Sequence, residues 1–198
     1  MAQALIFDKK LKQALDDSTR GYTWVQPWRA DKRSIVDVAG FEGEGLDGDE
    51  LEGKTPCVLV EVELKKDNPV ENVVKIWHWA ADRNRKAKRI LFLHAFSAHY
   101  QAEGSTLDSS NARIRVPLKT KQHERAVFIG KQMKKDRARH IDYQELPIFT
   151  TTRAGKRIQY KPLMRRGSVI KEGGGAMYRA AEILAKDIAK LLHAKSRR

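Results

Sequence analysis

The chain has 198 residues, 41% of them hydrophobic and 32% charged, enough to bury one core of ordinary size and too few for two large domains. One cysteine, Cys57, excludes an internal disulfide or a cysteine metal cluster and fits a cytoplasmic protein, and no apolar run approaches the roughly 20 residues of a membrane-spanning helix. The formal charge of +14 points to a polyanionic partner, and it is unevenly spread: residues 1–70 carry 10 basic against 14 acidic side chains, residues 71–198 carry 29 against 11.

The N-terminal decapeptide reaches charge at Asp8 too early for a secretory signal. Over residues 3–17, Ala4, Phe7, Leu11, Ala14 and Leu15 share one helical face, with Asp8, Lys9, Lys12 and Asp16 expected largely off it. That helix ends near Gly21. Residues 33–40 and 57–65 are β-branched runs that read as two neighbouring strands, separated by the Gly- and acid-rich stretch 41–53.

Asn68-Pro69-Val70-Glu71 then offers a cap, a proline at the first helical position and a glutamate that can reach back to the cap. Behind it Val70, Val73, Val74, Trp77 and Ala81 form an apolar stripe, with Asn72, Lys75 and Trp79 off its centre. Trp77 is therefore expected in the core, and Trp79 or Trp24 over an interface. Residues 89–96 suit a buried strand, 97–111 a loop, 119–135 a basic helix after Pro117 and 141–151 a strand. Residues 153–171 suit a basic hairpin. After Gly173-Gly174-Gly175 a last helix carries Met177, Ala180, Ala181, Leu184, Ile188, Leu191 and Leu192 at helical spacing. The fold class expected is a mixed α/β domain, a central sheet flanked by helices, with its core over residues 3–96 and a basic C-terminal elaboration over 97–198.

The strand over 57–65 carries the chemistry. Alternate residues share a face, so Leu59, Glu61, Glu63 and Lys65 point one way and Val58, Val60, Val62 and Leu64 the other. With Asp37 from the preceding strand, the carboxylates supply oxygen ligands for Mg2+ (or Mn2+), a hard cation that keeps several waters. Lys65 stands where it can orient a nucleophile or meet charge developing on a phosphate. The bland alternative for Glu-x-Glu-x-Lys is a solvated strand face. The six histidines show no i, i+4 pair and no cysteine set nearby, which argues against zinc.

The order helix, strand with Asp37, strand with Glu61-Val62-Glu63-Leu64-Lys65, capped helix, strand resembles the core of the PD-(D/E)xK, or restriction-endonuclease-like, nuclease superfamily. The resemblance spans residues 3–96 and is one of pattern. It implies Asp37, Glu61 and Glu63 as metal ligands, Lys65 assisting catalysis, and phosphodiester hydrolysis in DNA; the residues themselves leave DNA and RNA both open. Two registers fit the acid-x-lysine triplet, Glu63-Leu64-Lys65 and Glu61-Val62-Glu63. Val36 stands where the family places proline, so Asp47 or Asp49 is an alternative first ligand, and Asp16 or Asp17 a candidate first-helix acid.

Lys75, Arg83, Arg85, Lys86, Lys131, Lys134, Lys135, Arg165 and Arg166 are the candidate phosphate-binding residues. A homodimer would suit double-strand cleavage. The rival reading is a non-catalytic nucleic-acid-binding or assembly protein that keeps the fold, and a third is a module whose basic surface meets an acidic protein.

Overall fold

The computed structural model describes residues 4–32, 34–64, 68–81, 88–107, 113–136, 138, 140–162, 164–165, 168–169 and 175–196, without the side chains of 4–5, 101–119, 134, 164–165, 168–169 and 196. In chain order the elements are α1 (Ala4–Ser18), β1 (Tyr22–Val25), β2 (Trp28–Arg29), β3 (Ile35–Val36), β4 (Val38–Glu42), α2 (Gly48–Leu51), β5 (Val58–Glu63), α3 (Pro69–Ala81), β6 (Ile90–Phe96), β7 (Gln101–Leu107), β8 (Arg113–Lys119), α4 (Lys121–Gln132), β9 (Ile141–Pro147), β10 (Phe149–Thr151), β11 (Arg157–Gln159), β12 (Met164–Arg165), β13 (Ser168–Val169) and α5 (Ala176–Ser196). Short 3-10 turns precede β7 and follow α4.

Five strands form a mixed sheet in the order β1-β4-β5-β6-β9. β4 runs antiparallel to β1 and β5, while β6 and β9 run parallel to β5. This is an α/β architecture with helices on both faces, because the parallel strands bury both of theirs. On one face Val58, Val60, Leu91 and Leu93 meet Phe7, Leu11 and Leu15 of α1 and Leu184 and Ile188 of α5. On the other, Leu59, Phe92 and Phe96 meet Val73 and Ile76 of α3 and Ala126 and Val127 of α4. Each large apolar side chain so enclosed contributes about 1.5–3 kcal/mol. The C-terminal half completes this core: β9 is its fifth strand, and α4 and α5 cover opposite faces.

Two close approaches fix the layers. Trp24 and Gly40 face each other across β1 and β4, and a Cβ on Gly40 would come within 2.7 Å of the Trp24 ring. A Cβ on Gly130 of α4 would overlap the ring of Tyr143 on β9.

Four expectations change. Residues 101–107 and 113–119 pair as an antiparallel hairpin where a loop was expected, with Pro117 inside β8 opposite Glu103. The first strand divides at Asp37 into β3 and β4. The buried face of α3 is centred on Val73, Ile76, Trp79 and Ala80, so Trp79 is in the core, edge-on to Trp28 at 5.4 Å. Trp77 is half-buried at the margin, where its indole N–H donates to Asp136 (3.2 Å). Finally, Asp8 is buried. Its position between Phe7 and Leu11 turns it inward with the stripe.

Candidate active site

Pairing of β4 with β5 begins at Val38↔Val60, which leaves Asp37 just beyond the ladder. Its Oδ2 accepts the Val62 backbone N–H at 2.8 Å, a side-chain oxygen standing in for a strand carbonyl. The break in the first strand therefore holds a carboxylate against the C-terminal end of β5.

Glu61 projects from β5 toward α3 and is 1% exposed. Its Oε1 lies 2.8 Å from Nζ of Lys75, one turn beyond Asn72 on the line that the helical spacing sets off the apolar stripe. Burial pushes the Asp37 carboxyl up to about 6, against the opposing pull of the Val62 N–H and the Lys75 charge. Glu61 is also raised, by burial and then by the Asp37 charge, with Lys75 opposing. Asp8 of α1 lies in the same field: burial and the charge of Asp37 push it up to about 9. Its Oδ1 has no hydrogen-bond partner among the described residues. Three carboxyls on three elements thus crowd one end of the sheet beside one ammonium. Deprotonating all three is unfavourable unless further positive charge arrives.

Glu63 has a different environment. Asn72 Nδ2 donates to its Oε1 (2.6 Å), His94 Nε2 lies 2.9 Å from the same atom, and the Tyr100 hydroxyl donates to Oε2 (3.3 Å). His94, fully buried on β6, reaches the Tyr143 hydroxyl at 3.2 Å through Nδ1. Burial pushes Glu63 up, but the hydrogen bonds and charge from His94, with Asn72 and Tyr100, outweigh it and hold the carboxyl below its ordinary value. This network ties α3, β5 and β6 together. By fixing Asn72 on Glu63 it sets the height of α3 at which Lys75 meets Glu61.

The remaining expected residues separate clearly. Asp47 caps α2, accepting the Glu50 N–H at 2.9 Å, and with Asp49 is exposed. Asp16 is exposed and pairs with Lys12, and Asp17 is not buried. The α1 carboxyl that lies in the field of Asp37 is Asp8. Lys75, expected to contact phosphate, pairs with Glu61. Lys65, Arg83, Arg85, Lys86 and Arg166 lie outside the described residues, as do the side chains of Lys134 and Arg165. Lys131, in the last turn of α4, and Lys135, in the 3-10 turn that follows, are exposed.

Sequence reasoning missed Asp8, the pairing of Lys75, and the His94, Asn72 and Tyr100 network. A signal existed for two of these: Asp8 interrupts the apolar stripe, and Asn72 and Lys75 fall three apart on one helix line. None existed for His94 and Tyr100, whose partner is 31 or more residues away.

The protein matches none of the known families, curated proteins or solved structures with which it was compared. No helix is long and apolar enough to cross a membrane among the described residues. Nor do three His, Cys, Asp or Glu side chains among them gather closely enough to enclose a metal ion by themselves. Two carboxylates with water in the other positions is still the usual way Mg2+ is held. Asp37 and Glu61 are the two carboxyls that meet here, and each would have to give up its proton to hold such an ion.

Proposed function

We propose that this protein is a Mg2+-dependent (or Mn2+-dependent) nuclease with a restriction-endonuclease-like core, hydrolysing phosphodiester bonds in DNA. The observation that carries the proposal is the meeting of Asp37, Glu61 and Lys75, from a strand break, a strand end and the following helix, within one crowded field. The element order through β6 and the antiparallel-then-parallel strand pattern are consistent with that core.

Asp37 and Glu61 are the residues that would hold the ion. Bound there, it supplies a hard Lewis acid that makes a coordinated water more acidic and offsets phosphate charge. Lys75 opposes the burial that raises the Glu61 carboxyl and stands, in place of the expected Lys65, where negative charge develops on the phosphate. Glu63 acts as a structural anchor, because its oxygens already accept from three side chains. Asp8 maintains a carboxyl beside Asp37 whose proton can leave when positive charge enters the site.

Plasmid and single-stranded DNA incubated with the protein and Mg2+ or Mn2+ test this. The wild type is expected to cut at least one, and Asp37→Asn and Glu61→Gln to lose at least 100-fold in rate, about 2.7 kcal/mol of barrier. Absence of cleavage by the wild type, or equal cleavage by Asp37→Asn, overturns the proposal. The second reading, a nucleic-acid-binding protein that does not cut, is favoured by one observation: Glu61 is already neutralised by Lys75 and almost wholly enclosed.

A further inference from the structure

Helix α4 carries a surface feature that the acidic site does not use. Phe128 is 63% exposed, the most exposed of the large apolar side chains described. Its helix is otherwise well buried: His123 stacks on Phe96 at 3.9 Å, Ala126, Val127 and Gly130 face the core, and Gly130 abuts Tyr143. Phe128 is thus held outward by a rigid element.

At 3.6 residues per turn, Lys121, Arg125 and Lys131 lie within about 60° of Phe128 around the axis of α4, Lys121 about two turns before it, and Lys135 follows in the 3-10 turn that ends the helix. All four are exposed, and none forms an ion pair among the described residues, in contrast to Lys12, Lys88, Arg157 and Lys195. Glu124 is the one acid on this arc. Such a face repels a second copy of itself, and an exposed ring flanked by free cations matches the needs of a polyanion with flat, unstacked faces.

We propose that the outer face of α4 docks single-stranded nucleic acid, Phe128 stacking on an unpaired base while Lys121, Arg125, Lys131 and Lys135 contact phosphates. Aromatic stacking with a basic track is the general mode of single-strand binding. A base inside a duplex has no face free for the ring. The placement also gives direction: Asn72 on α3 bonds Glu63 and His123 on α4 stacks on Phe96, which pairs with Glu63 across β5 and β6. The N-terminal ends of both helices therefore lie at the sheet end that bears the acidic cluster. A strand following α4 past Arg125 and Lys121 runs toward that end. The inference rests on the nucleic-acid reading of that site, yet its test requires no cleavage.

Fluorescence anisotropy with a labelled oligothymidine and a duplex of equal length, both in EDTA at about 50 and about 200 mM salt, reads the binding. Phe128→Ala is expected to weaken single-strand binding roughly 5- to 100-fold, leaving the salt slope and the melting temperature unchanged. Phe128→Trp is expected to restore it. Lys131→Gln with Lys135→Gln is expected to lower the slope of log K against log salt by about 1.4 for the single strand. Unchanged single-strand affinity in Phe128→Ala, equal losses for duplex and single strand, or polyglutamate competing as well as oligothymidine each overturns the proposal, the last in favour of an acidic protein partner. If the wild type cuts no DNA while Phe128→Ala still loses single-strand affinity, the nuclease reading fails alone. If DNA is cut while Phe128→Ala binds like wild type, the α4 inference fails alone.

Discussion

Replacing Asp8 by asparagine is expected to stabilise the metal-free protein, and by more as the pH rises. In the folded chain, burial and the neighbouring charge of Asp37 push Asp8 up to about 9, while an aspartate in an unfolded chain titrates near 3.9. Between these values the native state keeps a proton that the unfolded state has released. Unfolding free energy then falls with increasing pH, by about 1.4 kcal/mol per pH unit. The loss is absent below the unfolded value and complete above the folded one. Asparagine has nearly the same shape and does not titrate. From pH 7 to pH 8, above the pH of about 6 at which Asp37 titrates, the difference between the two proteins should widen by about 1.4 kcal/mol in favour of Asp8→Asn. Solvent screening reduces this little, since Asp8 is 5% exposed. Urea unfolding followed by tryptophan fluorescence at pH 6, 7 and 8, in EDTA, measures it. Parallel stability curves for the two proteins, or a variant less stable at pH 8, would refute the argument that a buried neutral carboxyl stands beside Asp37.

Lys75→Met should destabilise the protein by about 3–5 kcal/mol, because it leaves Glu61 buried without its cation. Glu61→Gln in the same chain should recover more than half of that loss, and a double-mutant cycle in urea showing simple additivity would contradict the pair. Saturating Mn2+ should raise the melting temperature by about 5–10 °C at pH 7.5, the effect of roughly 2–3 kcal/mol in a chain of this size. Protons compete for Asp37 as the pH falls through about 6, so the rise should shrink toward pH 5 and be lost in Asp37→Asn. A metal effect equally large at pH 5, or intact in Asp37→Asn, would place the ion elsewhere. Gly130→Ala should cost about 1–3 kcal/mol through overlap with the Tyr143 ring, with Tyr143→Leu relieving it, as thermal melts will show.

Local signals carried much of the architecture. The period-two alternation of Val58 to Glu63, the all-apolar run of Ile90 to Phe96, the proline that opens α3 and the 3.6-residue stripe of α5 each state their element type within a few residues, because those periods arise from backbone geometry. The hairpin β7–β8 escaped, since Gln101 to Leu107 is polar and small and its pairing with Arg113 to Lys119 depends on a neighbour. The inward turn of Asp8 escaped because a helical wheel assigns an angle, whereas the solvent at that angle is set by whatever packs there.

The same division runs through the candidate site. By itself the sequence determined that Glu61 and Glu63 leave the same face of one strand, that Asp37 precedes them on another, and that the chain's positive charge is concentrated in its last two thirds. It could not decide between the two glutamates. That choice came from the sheet register: Val38 opposite Val60 puts Asp37 beside Val62 and Glu61, and the parallel pairing of β5 with β6 puts His94 within reach of Glu63. Two carboxylates separated by one residue, equal in the sequence, thus become an ion-paired, charge-crowded Glu61 and a hydrogen-bonded Glu63. The physical reason is that a carboxylate's ionisation and ligand capacity depend on which donors and charges surround it, and those arrive from residues 9 to 37 positions distant along the chain, brought near only by folding.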